Sequence, residues 1–207
     1  MGEARANPHT IMLDVDGVLI CGRPQDGAPL FTDLEADLGL SLAELQRAFF
    51  VPRWTDIVTG RKPLLPELSA ALAEIAPTLK PETLIDYWFR NDSRINEDVL
   101  KDVDDLKARG HRVYLATNQE HLRAAYLMKD LGLAGRVDGI CYSAAIGYRK
   151  PATEFFDLAT RQVSETPQNI VFLDDSRDNV TAARAYGWHA VHWQDGMSLC
   201  GQLDAFS

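Results

Sequence analysis

Two acidic residues, Asp14 and Asp16, stand one residue apart at the end of the apolar run in "TIMLDVDGVLI" (residues 10–20). In extended geometry, residues two positions apart point to the same side of the chain, so both carboxylates can face one pocket. Like charges at this spacing repel each other, and partial burial increases the cost. The pair therefore predicts a bound cation, a shared proton, or both.

Polar groups also follow three other apolar runs. Thr117 and Asn118 end "RVYLATN", and a hydroxyl followed by the first amides of a helix can bind an anion. Lys150 stands directly before Pro151 in "GYRKP", at the expected entrance of a helix. The run "NIVFLDDSRDN" ends in four candidate residues: Asp174, Asp175, Asp178 and Asn179.

Each of these groups also has an interpretation without chemistry. Acids at strand ends cap the following helix, a Thr-Asn pair forms turns, and lysines are usually solvated. All of the groups nevertheless fall at the carboxyl ends of predicted strands, where open α/β sheets bind ligands. Their coincidence favours one shared site.

Short apolar runs predict buried strands, and helical patterns lie between them. Strands are predicted at 10–14, 112–117, 139–143, 169–175 and 189–193, and helices at 96–109, 120–131, 152–163 and 178–186. Strands that alternate with helices predict a parallel sheet covered on both faces. The predicted fold class is therefore α/β, with a Rossmann-like, doubly wound parallel sheet as the core.

The first interval between strands breaks this alternation, because most of residues 19–92 has a helical pattern interrupted by proline and glycine. We expect a small all-helical domain at 19–92, inserted into a discontinuous α/β core at 1–18 and 93–207. A segment that leaves from the carboxyl edge of the sheet would cover the site as a cap.

The composition narrows the classes of partner. The formal net charge of −9 over 207 residues disfavours nucleic acid, because phosphate backbones require basic patches. No apolar run approaches the roughly 18 residues of a membrane span, and "MGEARANPHT" lacks the apolar segment of a signal peptide. Three cysteines without CxxC spacing suggest reduced thiols and a cytoplasmic location. We expect a small-molecule partner and either a monomer or a homodimer.

In chain order, "DVDGV", "TN", "KP" and "DDSRDN" resemble the four motifs of the haloacid dehalogenase-like hydrolase superfamily. An insertion between the first two motifs resembles the subfamily with a helical cap. The segment "WTDIVTGRKPLLPELSAAL" is similar to the cap of small bacterial sugar-phosphate phosphatases, including a glucose-1-phosphate phosphatase. The resemblance implies a Mg²⁺-dependent phosphatase for small phosphomonoesters, with sugar phosphates as the first choice and nucleotides or a flavin phosphate as the alternatives.

The resemblance also implies a role for each motif. Asp14 would be the nucleophile that forms an aspartyl-phosphate, and Asp16 would protonate the leaving oxygen and then activate water. Lys150, Thr117 and the amide of Asn118 would hold phosphoryl oxygens. The implied ligands of Mg²⁺ are Asp14, the backbone carbonyl of Asp16, Asp175 and Asn179.

One departure concerns the last motif. Asp174 stands where the superfamily usually has glycine, and Asn179 stands in place of an acid, four residues after Asp175. We expect Asp174 to pair with Lys150. Asn179 would be a weak or water-mediated metal ligand, with Asp178 as the alternative.

Other functions use the same fold. A phosphomutase needs the same residues and a cap that excludes water, whereas a 2-haloacid dehalogenase has no need of the acid at Asp16. A non-catalytic binding protein has no use for a nucleophile, so the intact set of acids and lysine argues against it.

Specificity is expected in the inserted domain. Arg53 and Trp54 are the first candidates for substrate contact because they precede the break at Gly60. Arg61 and Lys62 could attract an anionic substrate or be solvated, and His121 is expected on a helix surface. A core role is favoured for each of the domain's aromatic residues, which are Phe49, Phe50, Trp54, Tyr87, Trp88 and Phe89.

Overall fold

A computed structural model of the chain describes residues 10–203. It contains a five-stranded sheet in the order β3-β2-β1-β4-β5, in which every adjacent pair is parallel. The strands are β1 (Thr10–Leu13), β2 (Arg112–Thr117), β3 (Gly139–Tyr142), β4 (Ile170–Asp174) and β5 (His189–His192). The predicted α/β class with a parallel sheet is confirmed.

The two central strands are buried on both faces, as expected for a parallel sheet covered by helices. Every residue of β1 and β4 is buried. Ile11 and Leu13 pack into the hydrophobic cluster on one face, whereas Met12 and Phe172 pack into the cluster on the other. This alternation fixes the register of β1, and it therefore fixes the direction in which Asp14 leaves the sheet.

An inserted helical segment lies between β1 and β2. Its helices are α1 (Leu34–Leu38), α2 (Leu42–Leu45), α3 (Val51–Val58), α4 (Leu64–Ile75) and α5 (Pro81–Asn91), with a π-helical stretch at Gln46–Phe50 joining α2 to α3. These helices share a separate hydrophobic cluster that includes Phe49, Leu68 and Leu84. The division into domains at 18/19 and 92/93 stays a prediction.

Residues 19–33, at the start of the segment predicted to be mostly helical, form turns and irregular chain. Two glycines in this stretch, Gly22 and Gly27, have φ values of +78° and +74°, and two prolines lack an amide proton. Neither feature is compatible with a continuous helix.

The rest of the chain supplies the helices that cover the sheet. They are α6 (Glu97–Ala108), α7 (His121–Lys129), α8 (Ser143–Ile146), α9 (Thr153–Gln162), α10 (Arg177–Tyr186) and α11 (Leu199–Leu203), with short 3-10 turns at Leu133–Gly135 and Pro167–Asn169. The short α8 and α11 were not predicted, since neither offers a full amphipathic period. Four predicted strands extend one residue too far at their carboxyl ends, where the chain turns to present polar groups. Within residues 10–203, no helix combines the length and the apolar character that crossing a bilayer requires.

The strand order creates a crevice at one place. From β1 the chain proceeds to β2 and β3 on one side, and β4 and β5 lie on the other. The carboxyl ends of β1 and β4 therefore flank the switch point at which open sheets bind ligands. The amide of Asp14 donates to the Leu173 carbonyl at 2.9 Å, which holds these two strand ends together.

A proline near the π-helical stretch leaves one helical carbonyl without its regular donor. Pro52 has no amide proton to donate to the carbonyl of Ala48, four residues earlier, so the regular helical bond is missing. The side chain of Arg53 replaces it, because its Nε donates to that carbonyl at 3.2 Å while Nη1 donates to Glu67 Oε2 at 2.8 Å. Arg53 thus joins α3 to α4.

We expect Arg53→Met to lower the free energy of unfolding by about 1–2 kcal/mol, because a buried carbonyl loses its donor. In a Pro52→Ala background the backbone can supply that donor, so the same substitution should cost less. Urea unfolding of the wild type, both single variants and the double variant measures this coupling. Equal effects of Arg53→Met in the two backgrounds would contradict the idea that the Arg53 side chain replaces the amide donor missing at Pro52.

Candidate active site

A buried lysine lies between two carboxylates at the switch point. Lys150 Nζ is 2.9 Å from Asp14 Oδ1 and 2.6 Å from Asp174 Oδ2, and it donates to the Ala116 carbonyl at 2.7 Å. Burial alone would lower the pKa of Lys150, but the two carboxylates outweigh it and raise that pKa. The lysine is therefore a fixed positive charge, and the predicted pairing of Asp174 with Lys150 is confirmed.

The asparagine of the Thr-Asn pair holds the lysine in place. The Asn118 side chain accepts from the Lys150 amide at 2.8 Å and donates to the Lys150 carbonyl at 3.0 Å. Thr117, the last residue of β2, is buried beside it. Asn118, which directly follows β2, thus fixes the backbone of Lys150, which lies beyond the end of β3.

Asp14 has one oxygen engaged and one oxygen available. Its Oδ1 accepts from the Val15 amide at 2.7 Å and from Lys150, whereas Oδ2 has no hydrogen-bond partner among residues 10–203. Burial, opposed by Lys150 and reinforced by Asp174 and Asp16, raises the pKa of Asp14 well above its usual range. An added cation would favour the ionised form of this carboxylate.

Asp16 is presented by a tight turn after β1. The Val15 carbonyl accepts from the amides of Val18, Leu19 and Ile20, and Gly17 adopts a φ of +77° within the turn. The carboxylate of Asp16 accepts from Gln119 Nε2 at 2.7 Å. Asp16 is accessible to solvent at its surface, but many protein atoms surround its carboxylate. Desolvation by these atoms, together with the charge of Asp92, raises the pKa of Asp16 to about 6.

The charge of Asp92 is itself compensated. Asp92 follows α5, and its Oδ2 lies 3.2 Å from Nη2 of Arg123, a residue of α7 that is only 1 % exposed. Arg123 also donates to the carbonyls of Phe89 and Asp92, and its guanidinium lies 5.4 Å from the ring centroids of Phe89 and Tyr126. This arginine therefore joins the end of the inserted helical segment to the core, close to Asp16.

Asp174 is saturated by protein donors. Asn179 Nδ2 lies 3.0 Å from both of its oxygens, and the Ser176 amide donates to Oδ1 at 2.8 Å. The Asn179 side chain, predicted as a metal ligand, thus uses its donor to orient Asp174 against Lys150. Ligation of a metal by its oxygen stays a prediction.

The acids at the switch point suit a hard divalent cation. Carboxylate oxygens of Asp14, Asp174 and Asp175 lie within 4.8 Å of one another, and burial with the charge of Asp174 raises the pKa of Asp175. Because Asp174 is already saturated, Asp14 and Asp175 are the side chains free to bind a metal. The Asp16 carbonyl, the predicted backbone ligand, accepts from no backbone amide in the described part of the chain. These oxygen donors fit Mg²⁺.

The two residues predicted to contact substrate make their contacts within the inserted helical segment. Arg53 bonds to Ala48 and Glu67, as described above. The Trp54 ring lies 5.4 Å from Trp88 and 5.6 Å from Phe50, measured between centroids, and is partly buried. The structure does not place Arg53 beside Asp14 or Asp16, and its role in substrate contact stays a prediction.

The remaining candidates lie on the surface. Arg61 and Lys62 lie within 4 Å of Asp56, and the exposed His121 lies 3.2 Å from the hydroxyl of Tyr142. Asp178 is exposed in the first turn of α10. The expected helix-surface position of His121 is confirmed.

Comparison with known proteins identifies the family of this site. The model of the haloacid dehalogenase-like hydrolases matches residues 8–187. The chain belongs to this family. The matched range includes the four polar groups at the strand ends.

Several relatives of the chain are named phosphatases. The sesquiterpene phosphatase astK of Aspergillus oryzae is 33% identical over 136 residues, which cover 63% of this chain and 63% of that protein. A phosphoglycolate phosphatase of Colwellia psychrerythraea is 23% identical over 191 residues, covering 86% of this chain and 80% of that one. The chain thus spans less than two thirds of the first of these relatives.

A solved structure shares the fold of the whole chain. A family enzyme from Bacteroides thetaiotaomicron, in a magnesium complex, has a TM-score of 0.80 at 16% identity and covers 96% of this chain and 99% of that one. Members of the haloacid dehalogenase-like family with this fold have therefore been obtained with magnesium bound.

Sequence analysis missed three residues around Asp16. Gln119 directly follows the Thr-Asn motif of the family, and this adjacency was the one available signal. Nothing in the sequence distinguishes Asp92 and Arg123 from the many surface charges, because their pairing depends on how α5 and α7 pack.

We expect Lys150→Met to lower the free energy of unfolding by about 3–5 kcal/mol, because it leaves two buried carboxylates without their cation. Adding Asp174→Asn to that variant should recover part of the loss, since one uncompensated charge is removed. Urea unfolding in EDTA compares the two variants with the wild type. A double variant less stable than Lys150→Met would contradict an electrostatic origin.

Proposed function

We propose that this protein is a Mg²⁺-dependent phosphatase that hydrolyses small phosphomonoesters through an aspartyl-phosphate on Asp14. The observation that carries the proposal is the arrangement of Asp14 beside a fixed cation, Lys150, with a second acid, Asp16, held by Gln119 at 2.7 Å. A nucleophile, a charge that neutralises phosphate and a proton carrier are the groups that phosphoryl transfer to a carboxylate requires.

In the first step, Oδ2 of Asp14 attacks phosphorus, and the bond from phosphorus to the alcohol oxygen breaks. Asp16 donates its proton to that oxygen, so the alcohol leaves neutral. The Gln119 amide fixes the Asp16 carboxyl, which restricts it to a position from which it can reach the leaving oxygen.

In the second step, a water molecule attacks the phosphorus of the aspartyl-phosphate, and Asp16 takes up a proton from that water. The bond between phosphorus and Oδ2 breaks with its electron pair returning to Asp14. Inorganic phosphate leaves and Asp16 is again protonated, so one substrate and one water give one alcohol and one phosphate.

The phosphoryl group would be held by Lys150, the Thr117 hydroxyl and the Asn118 amide. Asp14, Asp175 and the Asp16 carbonyl would hold Mg²⁺, with Asn179 as a further candidate. A bound Mg²⁺ would supply charge screening between the phosphate and the carboxylates.

The rival functions are less well supported. A 2-haloacid dehalogenase attacks carbon and has no use for Asp16 or the Gln119 amide that positions it. A phosphomutase uses the same groups and differs in excluding water. A binding protein without turnover would have no reason to keep the Oδ2 atom of Asp14 free beside Lys150.

Within the phosphomonoesters, the sequence resemblance favours sugar phosphates, whereas the named relatives act on a sesquiterpene phosphate and on phosphoglycolate. We propose that residues 19–92 form a cap domain that selects among such substrates. Its contacts with the core at Asp92 and Arg123 lie near Asp16, which supports this assignment.

Phosphate release tests the proposal directly. With p-nitrophenyl phosphate, glucose 1-phosphate and phosphoglycolate as substrates, we expect turnover with Mg²⁺ by the wild type, loss of turnover in EDTA, and none by Asp14→Asn. Acid quenching during turnover should trap phosphate on the wild-type chain.

The matched control is Asp130→Asn, which removes an exposed acid that directly follows α7 and is not a candidate metal ligand, and it should keep most of the activity. A folded, Mg²⁺-loaded wild type that releases no phosphate from any substrate would sink the proposal. Haloacid and sugar-phosphate isomerisation assays would then test the dehalogenase and the mutase.

Asp16→Asn should separate the two chemical steps. The aryl group leaves as p-nitrophenolate and needs no proton, so a burst of p-nitrophenolate should precede a slow step, whereas release of an alkyl alcohol should fall by roughly 10²–10⁴-fold. Stopped-flow absorbance and alkyl phosphate hydrolysis measure the two effects. Equal losses on both substrates without a burst would argue against proton transfer by Asp16.

A further inference from the structure

The inserted helical segment contains an apolar cavity away from the acids. The cavity has a volume of about 600 Å³, and its apolar side chains include Leu30, Phe31, Leu42 and Phe50. This volume lies within the roughly 300–1,000 Å³ of small-ligand sites. Among the described residues, Glu35 is the one ionisable side chain in the lining, and no lysine or arginine contributes.

This lining disfavours two classes of occupant. A phosphate group would meet the Glu35 carboxylate and no compensating cation. A sugar would bring several hydroxyls, for which Thr32, Glu35 and Gln46 are the polar side chains of the lining, and burying the hydroxyls left unpaired is unfavourable. A hydrocarbon chain is the occupant that this surface stabilises.

Within the same segment, a row of aromatic rings begins at this cavity and continues to Trp54. Phe31 and Phe50, which both line the cavity, lie 6.0 and 5.5 Å from the Trp88 ring, measured between centroids. Trp54 lies 5.4 Å from Trp88 in turn. Phe31, Phe50 and Trp54 are only partly buried, so each keeps some surface for contact with a ligand.

Helix α3, which carries Trp54, is connected indirectly to Asp16. Trp54 lies one turn before Val58 on α3, and the Val58 carbonyl accepts from the Ser143 hydroxyl at 2.5 Å. That hydroxyl also lies 3.2 Å from the carbonyl of Gln119, whose side chain holds Asp16. The end of α3 is thus connected through two side chains to the group that would protonate the leaving alcohol.

A glycine makes this contact between α3 and the core possible. Gly60 follows α3 with a φ of +72°, and a Cβ there would overlap the backbone carbonyl of Ala144. The end of α3 therefore lies in close backbone contact with Ala144 of the core.

We propose that the substrate is a phosphomonoester of a long apolar alcohol, whose chain follows the aromatic row and ends in this cavity. The inference rests on the proposed phosphatase activity and names its substrate class in place of a sugar phosphate. The phosphate stays with Lys150 and Asp14, and the hydrocarbon is removed from water by Trp54, Phe50 and Leu42.

The test measures kcat/KM for butyl, hexyl, octyl and decyl monophosphate and farnesyl monophosphate, kept below their critical micelle concentrations. Glucose 1-phosphate and p-nitrophenyl phosphate are the comparison substrates. We expect kcat/KM to rise with chain length by up to about fourfold per methylene, the factor that corresponds to burying one methylene. The kcat/KM values for the longest alkyl phosphates should exceed the value for glucose 1-phosphate.

Two matched variants locate the effect. Leu42 lines the cavity and is 38% exposed, whereas Leu65 on α4 is 37% exposed and does not line it. Leu42→Gln should lower kcat/KM for decyl phosphate on the order of tenfold and leave p-nitrophenyl phosphate unchanged, because a partly buried leucine loses its contact with the chain. Leu65→Gln should leave both unchanged.

Binding gives a readout independent of turnover. Calorimetric titration of Asp14→Asn with decyl phosphate should show binding that Leu42→Gln weakens in the same background. Hydrolysis of all substrates without dependence on chain length would overturn the inference and leave the phosphatase standing. Failure to hydrolyse any substrate would overturn the proposed function, and decyl phosphate binding unaffected by Leu42→Gln would overturn the cavity assignment.

Discussion

A lysine buried between two carboxylates is the constraint on which the rest of the structure depends. Removing these charges from water is costly unless the geometry and the remaining hydrogen bonds are nearly complete. The structure meets this condition by placing β1 beside β4, which brings both Asp14 and Asp174 into contact with Lys150. The Asn118 side chain then bonds to both backbone groups of the lysine, and the Asn179 side chain bonds to Asp174. The strand order and the side chains of Asn118 and Asn179 therefore stabilise the same cluster of charges around Lys150.

The same cluster explains why a second cation is expected. Lys150 compensates Asp14 and Asp174 in part, and Arg123 is already engaged by Asp92. The carboxylates of Asp14 and Asp175 remain with raised pKa values, because burial and like charges disfavour their ionised forms. A phosphate group would add further negative charge at this point. A divalent cation bound by oxygen ligands resolves both problems at once, so metal binding and substrate binding are expected to depend on each other.

The features that could be predicted from sequence are those set by local pattern. The strands and their polar ends follow from apolar runs that stop at Asp14, Thr117 and Asp174, and the fold class follows from their alternation with helices. Contacts that depend on packing between distant segments could not be predicted. The pairing of Asp92 with Arg123 requires the end of α5 to meet α7, and no periodicity in either helix encodes that meeting. Arg53 was interpreted from its charge alone, whereas its contacts follow from the missing amide of its neighbour Pro52.

Under the substrate class proposed above, the aromatic residues of the inserted helical segment serve stability and selectivity together. Phe49 is fully buried and supports the fold of the segment, whereas Phe50 and Trp54 are only partly covered. Completely buried rings cannot select a ligand, and fully exposed rings would favour association with other surfaces. Partial burial stabilises each ring by its packed side and leaves the other side for an apolar chain. Because the chemistry resides on the sheet edge, these rings can vary without disturbing the cluster around Lys150, and selectivity can change while the reaction is kept.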